Sequence, residues 1–324
     1  MIRILARRLA TGIATLLVVT LLVFLLIQLS AGSPLGAAED AAGFDRWTPE
    51  MQAQLERLYR LDQPIYRQYL LWLGDAIRGD LGRSTYDRRP VSQKIAERAG
   101  ITIALNALAL ALTVLIAVPL GTAAAVRPNS LLDRASAITT YLLYSLPLFW
   151  AALLLQVVFS VELRWLPSYG LRSLDHALRS PAGRGLDLAA HLILPVLCLT
   201  YGGLAYVSRF VRATLLDQSG EGHRAARARG LSEWAVVYRH GFRQAAIPML
   251  TLAGFLLPGV VGGSVIVETI FALPGLGELF VLAVFQRDLP VLMGLTLLSG
   301  AATLAGIVLA DASYAIADPR VRRA

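Results

Sequence analysis

Gly222-His-Arg-Ala-Ala-Arg-Ala-Arg-Gly-Leu-Ser-Glu-Trp-Ala-Val-Val-Tyr-Arg-His-Gly-Phe-Arg-Gln-Ala-Ala-Ile-Pro248 is polar and arginine-dense, and it interrupts a chain made mostly of long apolar runs. Two helices are predicted in it. The first covers about residues 221–229 and stops at Gly230, the residue type that best tolerates a left-handed helix end. Ser232 stands where a second helix needs its N-cap, and that helix runs towards Ala245, with Pro248 opening the next apolar run. A polar surface helix held between two membrane spans has little of its own to pack against, so a separate protein covering it is the favoured reading. A basic segment resting on anionic headgroups is a second reading, but it needs no Gly230 and Ser232 between two helices. A helix-turn-helix is a third, and tethering at both ends makes entry into a DNA groove awkward; no nucleic-acid partner is expected.

The flanking chain supports a membrane setting. Hydrophobic residues make up 56%, charged residues only 16%, and mean hydropathy is +0.59, more apolar surface than a soluble core can hide. The net charge of +8 is not pooled in one domain; the arginines cluster at the ends of apolar runs, as the positive-inside rule expects. Uncharged runs at 10–29, 101–126, 135–161, 188–208, 247–267 and 290–310 each reach the roughly 18–20 residues that span a bilayer. The expected fold class is therefore an all-α membrane protein with six transmembrane helices. Arg127 and Arg134, the arginines around the quoted stretch, and Arg320, Arg322 and Arg323 all fall inside in that topology. Both termini are then cytoplasmic, and the protein is multi-pass in a bacterial inner (plasma) membrane.

Residues 32–99 differ in kind: acids and bases are balanced, and Trp47, Tyr59, Tyr66, Tyr69 and Trp72 lie among them. Thr48-Pro49-Glu50 reads as a helix start leading into residues 51–60, Asp62-Gln63-Pro64 interrupts the pattern, residues 66–77 resume it, and Gly79-Asp80-Leu81-Gly82 reads as a turn. The organisation expected is an N-terminal flank and first span (1–31), a small extracytoplasmic helical insertion (32–99), and a five-helix core (100–324) containing a cytoplasmic coupling region at 209–247. Prolines 119, 147, 195 and 258 are expected to kink their spans.

Catalytic signatures are missing. Lys94, the only lysine, lies between Gln93 and Ile95, so no Walker A loop exists. No His-Glu-x-x-His occurs, the four histidines are scattered, no Gly-x-Ser-x-Gly elbow appears, and Cys198 is alone in an apolar run. No metal site, no catalytic residue and no enzyme activity of its own is expected. Glu268 and Asp311 stand at the ends of runs rather than mid-span, which argues against the alternative of a stand-alone ion- or proton-coupled secondary transporter. His191 reads as a hydrogen-bonded interface residue. Asn106, Ser145 and Gln156 are candidates for lining a polar path, with helix-to-helix bonding the competing reading.

With those residues in view the chain resembles the B-type permease subunits of dipeptide/oligopeptide/nickel ABC importers. The resemblance is carried by Ser30-Ala-Gly-Ser-Pro34, Leu61-Asp-Gln-Pro64, Gly79-Asp-Leu-Gly-Arg-Ser84, Leu166-Pro-Ser-Tyr-Gly170, Ala226-Arg-Ala-Arg-Gly-Leu-Ser232 with Arg239-His240, Val267-Glu-Thr-Ile-Phe271, Leu273-Pro-Gly-Leu-Gly277, Arg287-Asp288 and Asp318-Pro-Arg320, in that order. It implies the type I ABC importer permease fold. It further implies a homologous second permease subunit, two ATP-binding subunits and an extracytoplasmic substrate-binding protein as partners, beside membrane lipid. No cofactor is implied for this chain, since ATP and Mg are bound by the partner subunits. Coupling to an ATPase subunit is implied for Arg224, Ala225, Ala226, Arg227, Ala228, Arg229, Gly230, Leu231 and Ser232. In ABC importers generally that motif begins Glu-Ala-Ala; here Arg224 replaces the acid.

Overall fold

Prolines decide where the long apolar runs of this chain break, because each removes an N–H from the helical ladder, but they do not all break it. The computed structural model describes residues 2–29, 59–60, 62–217 and 228–317, with isolated positions at 54 and 57; the side chains of 2–6, of 310–317 and of part of 239–258 are not described. Helix α1 is Ile2–Leu29, α2 is Ile65–Ile77, α3 is Val91–Val126, α4 is Leu131–Ser145 and α5 is Leu148–Leu155, which passes into a π turn at Gln156–Glu162. Helix α6 is Pro181–Asp217. A short α7, Glu233–Val236, leads through a π turn at Val237–Gly241 into α8, Phe242–Gly262; α9 is Val265–Ile270, α10 Leu276–Phe285 and α11 Leu289–Ala317. Among the described residues there is no strand, only an isolated bridge between Arg83 and Pro90.

Five helices are long and apolar enough to cross a membrane, or six if α4 and α5 count as one broken span. That break corrects the expectation of a single kinked span at 135–161. Pro119 and Pro195 sit inside continuous helices α3 and α6, whereas α4 and α5 meet at 96° across Leu146 and Pro147. The Leu146 carbonyl, freed at the corner, accepts a bond from the Tyr201 hydroxyl of α6 at 3.1 Å. The run at 247–267 is corrected in two ways. Its helix begins upstream, so Pro248 lies within α8 rather than opening it, and it ends at Gly262. Gly263 then takes φ +74, and the chain restarts as α9 with Ser264 capping through the Val267 N–H.

Helices α3 and α6 form the most extensive pairing, α8 packs on α11, and α11 on α1. Close approach of α3 and α6 depends on Gly121: a Cβ there would strike the Ser208 backbone carbonyl and the Val211 side chain. Around that crossing, Ala117, Ala125 and Val126 of α3 pack with Val207, Val211 and Leu215 of α6 and with Val237, Ala245 and Leu252 from the α7–α8 course. The core cluster at this end therefore seats the second half of the quoted stretch, and the span after it, directly on α3 and α6.

At the opposite end the segments joining the helices interlock. The Gly170 N–H donates to the Phe271 carbonyl at 2.8 Å, and Arg98 pairs with Glu278 at 2.7 Å. Asp288, fully buried, accepts from the hydroxyls of Ser84 and Thr85 and from the Thr85 N–H at 3.1 Å. Lys94 reaches the same knot, donating to Ser84 Oγ at 3.1 Å and to Asp87 at 2.9 Å, and lies 3.8 Å from Asp288. Burial works to raise the Asp87 pKa, but the bonds from Lys94 and the Arg89 N–H outweigh it and hold the carboxyl below its ordinary range. Of the insertion expected at 32–99, helix α2 and the turn at Gly79 (φ +86) and Gly82 (φ +79) are as read; the helix start at Thr48-Pro49-Glu50 lies outside the described residues.

Replacing Gly121 by Leu is expected to force α3 from α6, because the colliding atom is backbone and cannot rotate away. An overpacking cost of at least about 1–3 kcal/mol should appear as a lower unfolding midpoint in detergent, against little change for Gly100→Leu, where an added Cβ meets nothing.

Candidate functional site

Gly230 has φ +80, a left-handed conformation that side chains other than glycine adopt at a cost. Two residues on, the Ser232 hydroxyl accepts from the Ala235 N–H at 3.3 Å and caps α7. The chain thus turns between one helix end and a second helix start, as glycine and serine at this spacing suggested. The second helix does not stop at Ala245, however; from Glu233 it continues through the π turn into α8. Arg224, Ala225, Ala226 and Arg227 lie outside the described residues. Ala228, Arg229 and Gly230 are exposed, Ser232 is exposed with only its cap bond, and Leu231 is half-buried. Trp234, Tyr238 and Phe242 follow one another at ring distances of 5.8 and 5.4 Å, stacked along one side of this course.

What holds this end together is a buried carboxylate. Asp133, near the start of α4, accepts from Arg212 Nε and Nη2 at 2.7 Å each, from Arg209 Nη1 at 3.1 Å and from the Asn129 N–H at 3.0 Å. Arg209 also donates to Ser136 Oγ at 2.8 Å. Two guanidinium groups on one carboxylate fasten the loop between α3 and α4 to the last turns of α6, from which the chain departs towards Gly230. Sequence reading listed both arginines as flanking charges and missed Asp133; its position two residues into α4, behind a capping Ser130, is the local signal that was available.

At the far end, Glu268 of α9 is fully buried. Its carboxylate accepts from the N–H groups of Ser264 at 3.2 Å, Gly277 at 2.6 Å and Glu278 at 3.2 Å, and from Thr102 Oγ1 at 3.1 Å. Thr102 in turn accepts from the Leu276 N–H at 2.7 Å. One carboxylate thereby closes the loop between α9 and α10 and caps the positive start of α10. The packing leaves no room: an added Cβ at Gly275 or Gly277 would run into the Glu268 carboxylate itself. Asp187 organises the third corner, accepting from the Ser173 N–H at 3.0 Å, Ser173 Oγ at 2.6 Å and His176 Nδ1 at 2.6 Å. His191 is buried with Nδ1 2.8 Å from the Asp187 carbonyl, a bonded helix residue as expected.

The three residues read as a possible path are each occupied. Asn106 donates back to the Thr102 carbonyl at 2.8 Å, and Ser145 to the Leu142 carbonyl at 2.7 Å. Gln156 donates to the carbonyls of Ser168 at 2.6 Å and Ile270 at 3.1 Å. Gln156 joins its turn to the segments at Ser168 and Ile270, whereas Asn106 and Ser145 bond carbonyls of their own helices; Ser145 lies at the corner before Pro147. Cys198 is buried and fills space, and no cluster of metal-ligating side chains occurs among the described residues.

Residues 117–323 match the family described as binding-protein-dependent transport system inner membrane component, and residues 1–106 match the N-terminal region of the same kind of component. The chain is 36% identical over 317 residues to the oligopeptide transport system permease protein AppB of Bacillus subtilis, covering 97% of this chain and 98% of the relative. It is 39% identical over 326 residues to a Brucella suis biovar 1 protein named for peptide permease activity, and 40% identical over 324 residues to a Brucella abortus protein named for peptide transport, with 99% of each chain covered in both cases.

Glu268→Gln removes the charge and turns an amide NH2 towards groups that themselves donate. Stranded donors of this kind cost about 1–3 kcal/mol each, so the variant should unfold at a clearly lower temperature in detergent, and an unchanged midpoint would contradict the capping role.

Proposed function

We propose, from the premise that this chain belongs to the family of binding-protein-dependent transport system inner membrane components, that it forms one half of the translocation pathway of an ATP-driven peptide importer. Membership makes it a multi-pass inner-membrane permease subunit of an ABC transporter. The finer reading is that its partners are a homologous second permease, two ATP-binding subunits inside and a substrate-binding protein outside, with both termini inside. Peptides are the proposed cargo because full-length relatives carry peptide-transport names.

The observation that carries the coupling reading is the turn at Gly230 and Ser232. It is exposed, and it leads directly into α7, the π turn and α8, whose course is seated on the α3–α6 core through Val237 and Ala245. On this reading a push applied at Gly230 and Ser232 reaches the spans through that helical course. In this mechanism ATP binding closes the partner dimer and the docked segments move with it. The spans then swing the pathway from inward-facing to outward-facing, where the binding protein releases its cargo. Release of ADP and phosphate reverses the motion. The chain supplies no catalytic group and holds no cofactor; ATP and Mg belong to the partner subunits.

Gly230→Pro is the direct test, because proline fixes φ near −65° where this position has φ +80. In the reconstituted complex, ATP-driven peptide uptake should fall by at least about tenfold, equivalent to about 1.4 kcal/mol of lost coupling, while ATP binding by the partner subunits persists. Unchanged uptake and unchanged substrate-stimulated hydrolysis would overturn the coupling role. Uptake by this chain alone, without ATP, would instead identify a secondary transporter.

A further inference from the structure

Three tyrosine hydroxyls stand out because they are unanswered, two of them deep along α4. Tyr141 and Tyr144 of α4 and Tyr206 of α6 are 58%, 62% and 56% exposed, and none of their hydroxyls has a hydrogen-bond partner among the described residues. Their depth follows from two fixed points on the same pair of helices. Asp133 is bonded to Arg209 and Arg212 at the charged end, and Leu146 is bonded to Tyr201 at the other, so α4 runs alongside α6 for its whole length. Tyr141 and Tyr144 therefore lie about 12 and 16 Å beyond Asp133 at 1.5 Å per residue. Half of the roughly 30 Å hydrocarbon core is about 15 Å, which puts Tyr144 near the midplane and below the headgroup belt where tyrosines normally anchor. A hydroxyl facing lipid tails at that depth has no acceptor to find and costs free energy.

The same side chains line a cavity of about 350 Å³ with Ala205, Phe210 and Arg209. Arg209 closes its charged end. Its Nη atoms are spent on Asp133 and Ser136, but its Nε is buried without a partner. Because Arg212 already occupies both oxygens of Asp133, one carboxylate faces two guanidinium groups, and the cluster keeps a net positive charge. Such a cavity, with aromatic walls bearing hydroxyls and a cation at one end, suits a chain that carries amides along its length and a carboxylate at its tip.

We propose that the Tyr141–Tyr144–Tyr206 face is a water-filled wall of the translocation path, and that Arg209 is the cationic point over which the C-terminal carboxylate of a peptide passes. This rests on the permease reading above. It sets beside Asn106, Ser145 and Gln156, which donate to backbone carbonyls, three residues whose hydroxyls have no partner among the described residues.

Single cysteines at positions 141, 144 and 206, placed in a Cys198→Ala background and assembled with the partner subunits in proteoliposomes, test the proposal. Membrane-impermeant methanethiosulfonates are the probes, one anionic and one cationic. All three positions should react in the nucleotide-free complex and be protected when ATP and vanadate hold the ATPases closed. At Tyr206→Cys the anionic reagent should react about fivefold faster than the cationic one, as expected from a partly screened charge nearby. That ratio should fall to about one in Arg209→Gln, a variant in which Arg212 retains its own bonds to Asp133. Absence of reaction in every nucleotide state would mean that lipid or the second permease covers the face, and would overturn the proposal. Reaction without charge preference would overturn the role of Arg209. ATP-driven peptide uptake by the parent complex is measured on the same vesicles: uptake with unreactive cysteines sinks the path alone, whereas no uptake by the parent sinks the permease reading first.

Discussion

A chain that leaves helical geometry next to an apolar slab has to supply acceptors for its own freed N–H groups, since lipid supplies none. In this protein four buried carboxylates meet that demand. Asp133 takes the Asn129 N–H, Asp187 the Ser173 N–H, Asp288 the Thr85 N–H, and Glu268 the N–H groups of Ser264, Gly277 and Glu278. Asp133, Asp288 and Glu268 also draw in a hydroxyl or a cation from a helix distant in sequence, whereas the side chains on Asp187 come from the loop just before its own helix. The acids that an inventory of this chain would file as rare polar residues in apolar surroundings are thus the fasteners of its corners. What the geometry gives them is acceptance of hydrogen bonds at the corners they close.

The two ends of the bundle are fastened differently, and the difference bears on transport. At the end with Lys94, Glu268 and Asp288, loops from the whole length of the chain are knotted to one another. At the end with Asp133, the fastening holds helix ends together while the Gly230 turn projects beyond them. On the proposed reading the knotted end meets the binding protein and the Gly230 turn takes the push; the π turn at Val237–Gly241 lies between that turn and α8, a place where helical registry is already altered.

Much of this was legible from residue order, and the failures have physical causes. Long uncharged runs, the left-handed Gly230 and the capping Ser232 are local signals, written within a few residues, and the structure carries them as read. The corner at Pro147 was not separable from the uninterrupted helices at Pro119 and Pro195, because what decides is whether a distant group, here Tyr201, accepts the task of bonding the freed carbonyl. The carboxylate knots join positions as far apart as Ser84 and Asp288, and no local pattern encodes such a pairing. Choosing Asn106, Ser145 and Gln156 as path residues followed the rule that polar groups inside apolar runs have work to do. In the structure all three donate to backbone carbonyls, while three tyrosines, counted with the apolar residues, have hydroxyls without a partner among the described residues.

Lys94 carries the chain's sole ε-amine, and that amine is folded into the junction between Ser84, Asp87 and Asp288. For an acylating reagent, the side chains of this subunit are therefore silent for as long as the junction stays shut. Acylation at Lys94 would date the moment when that junction first came undone.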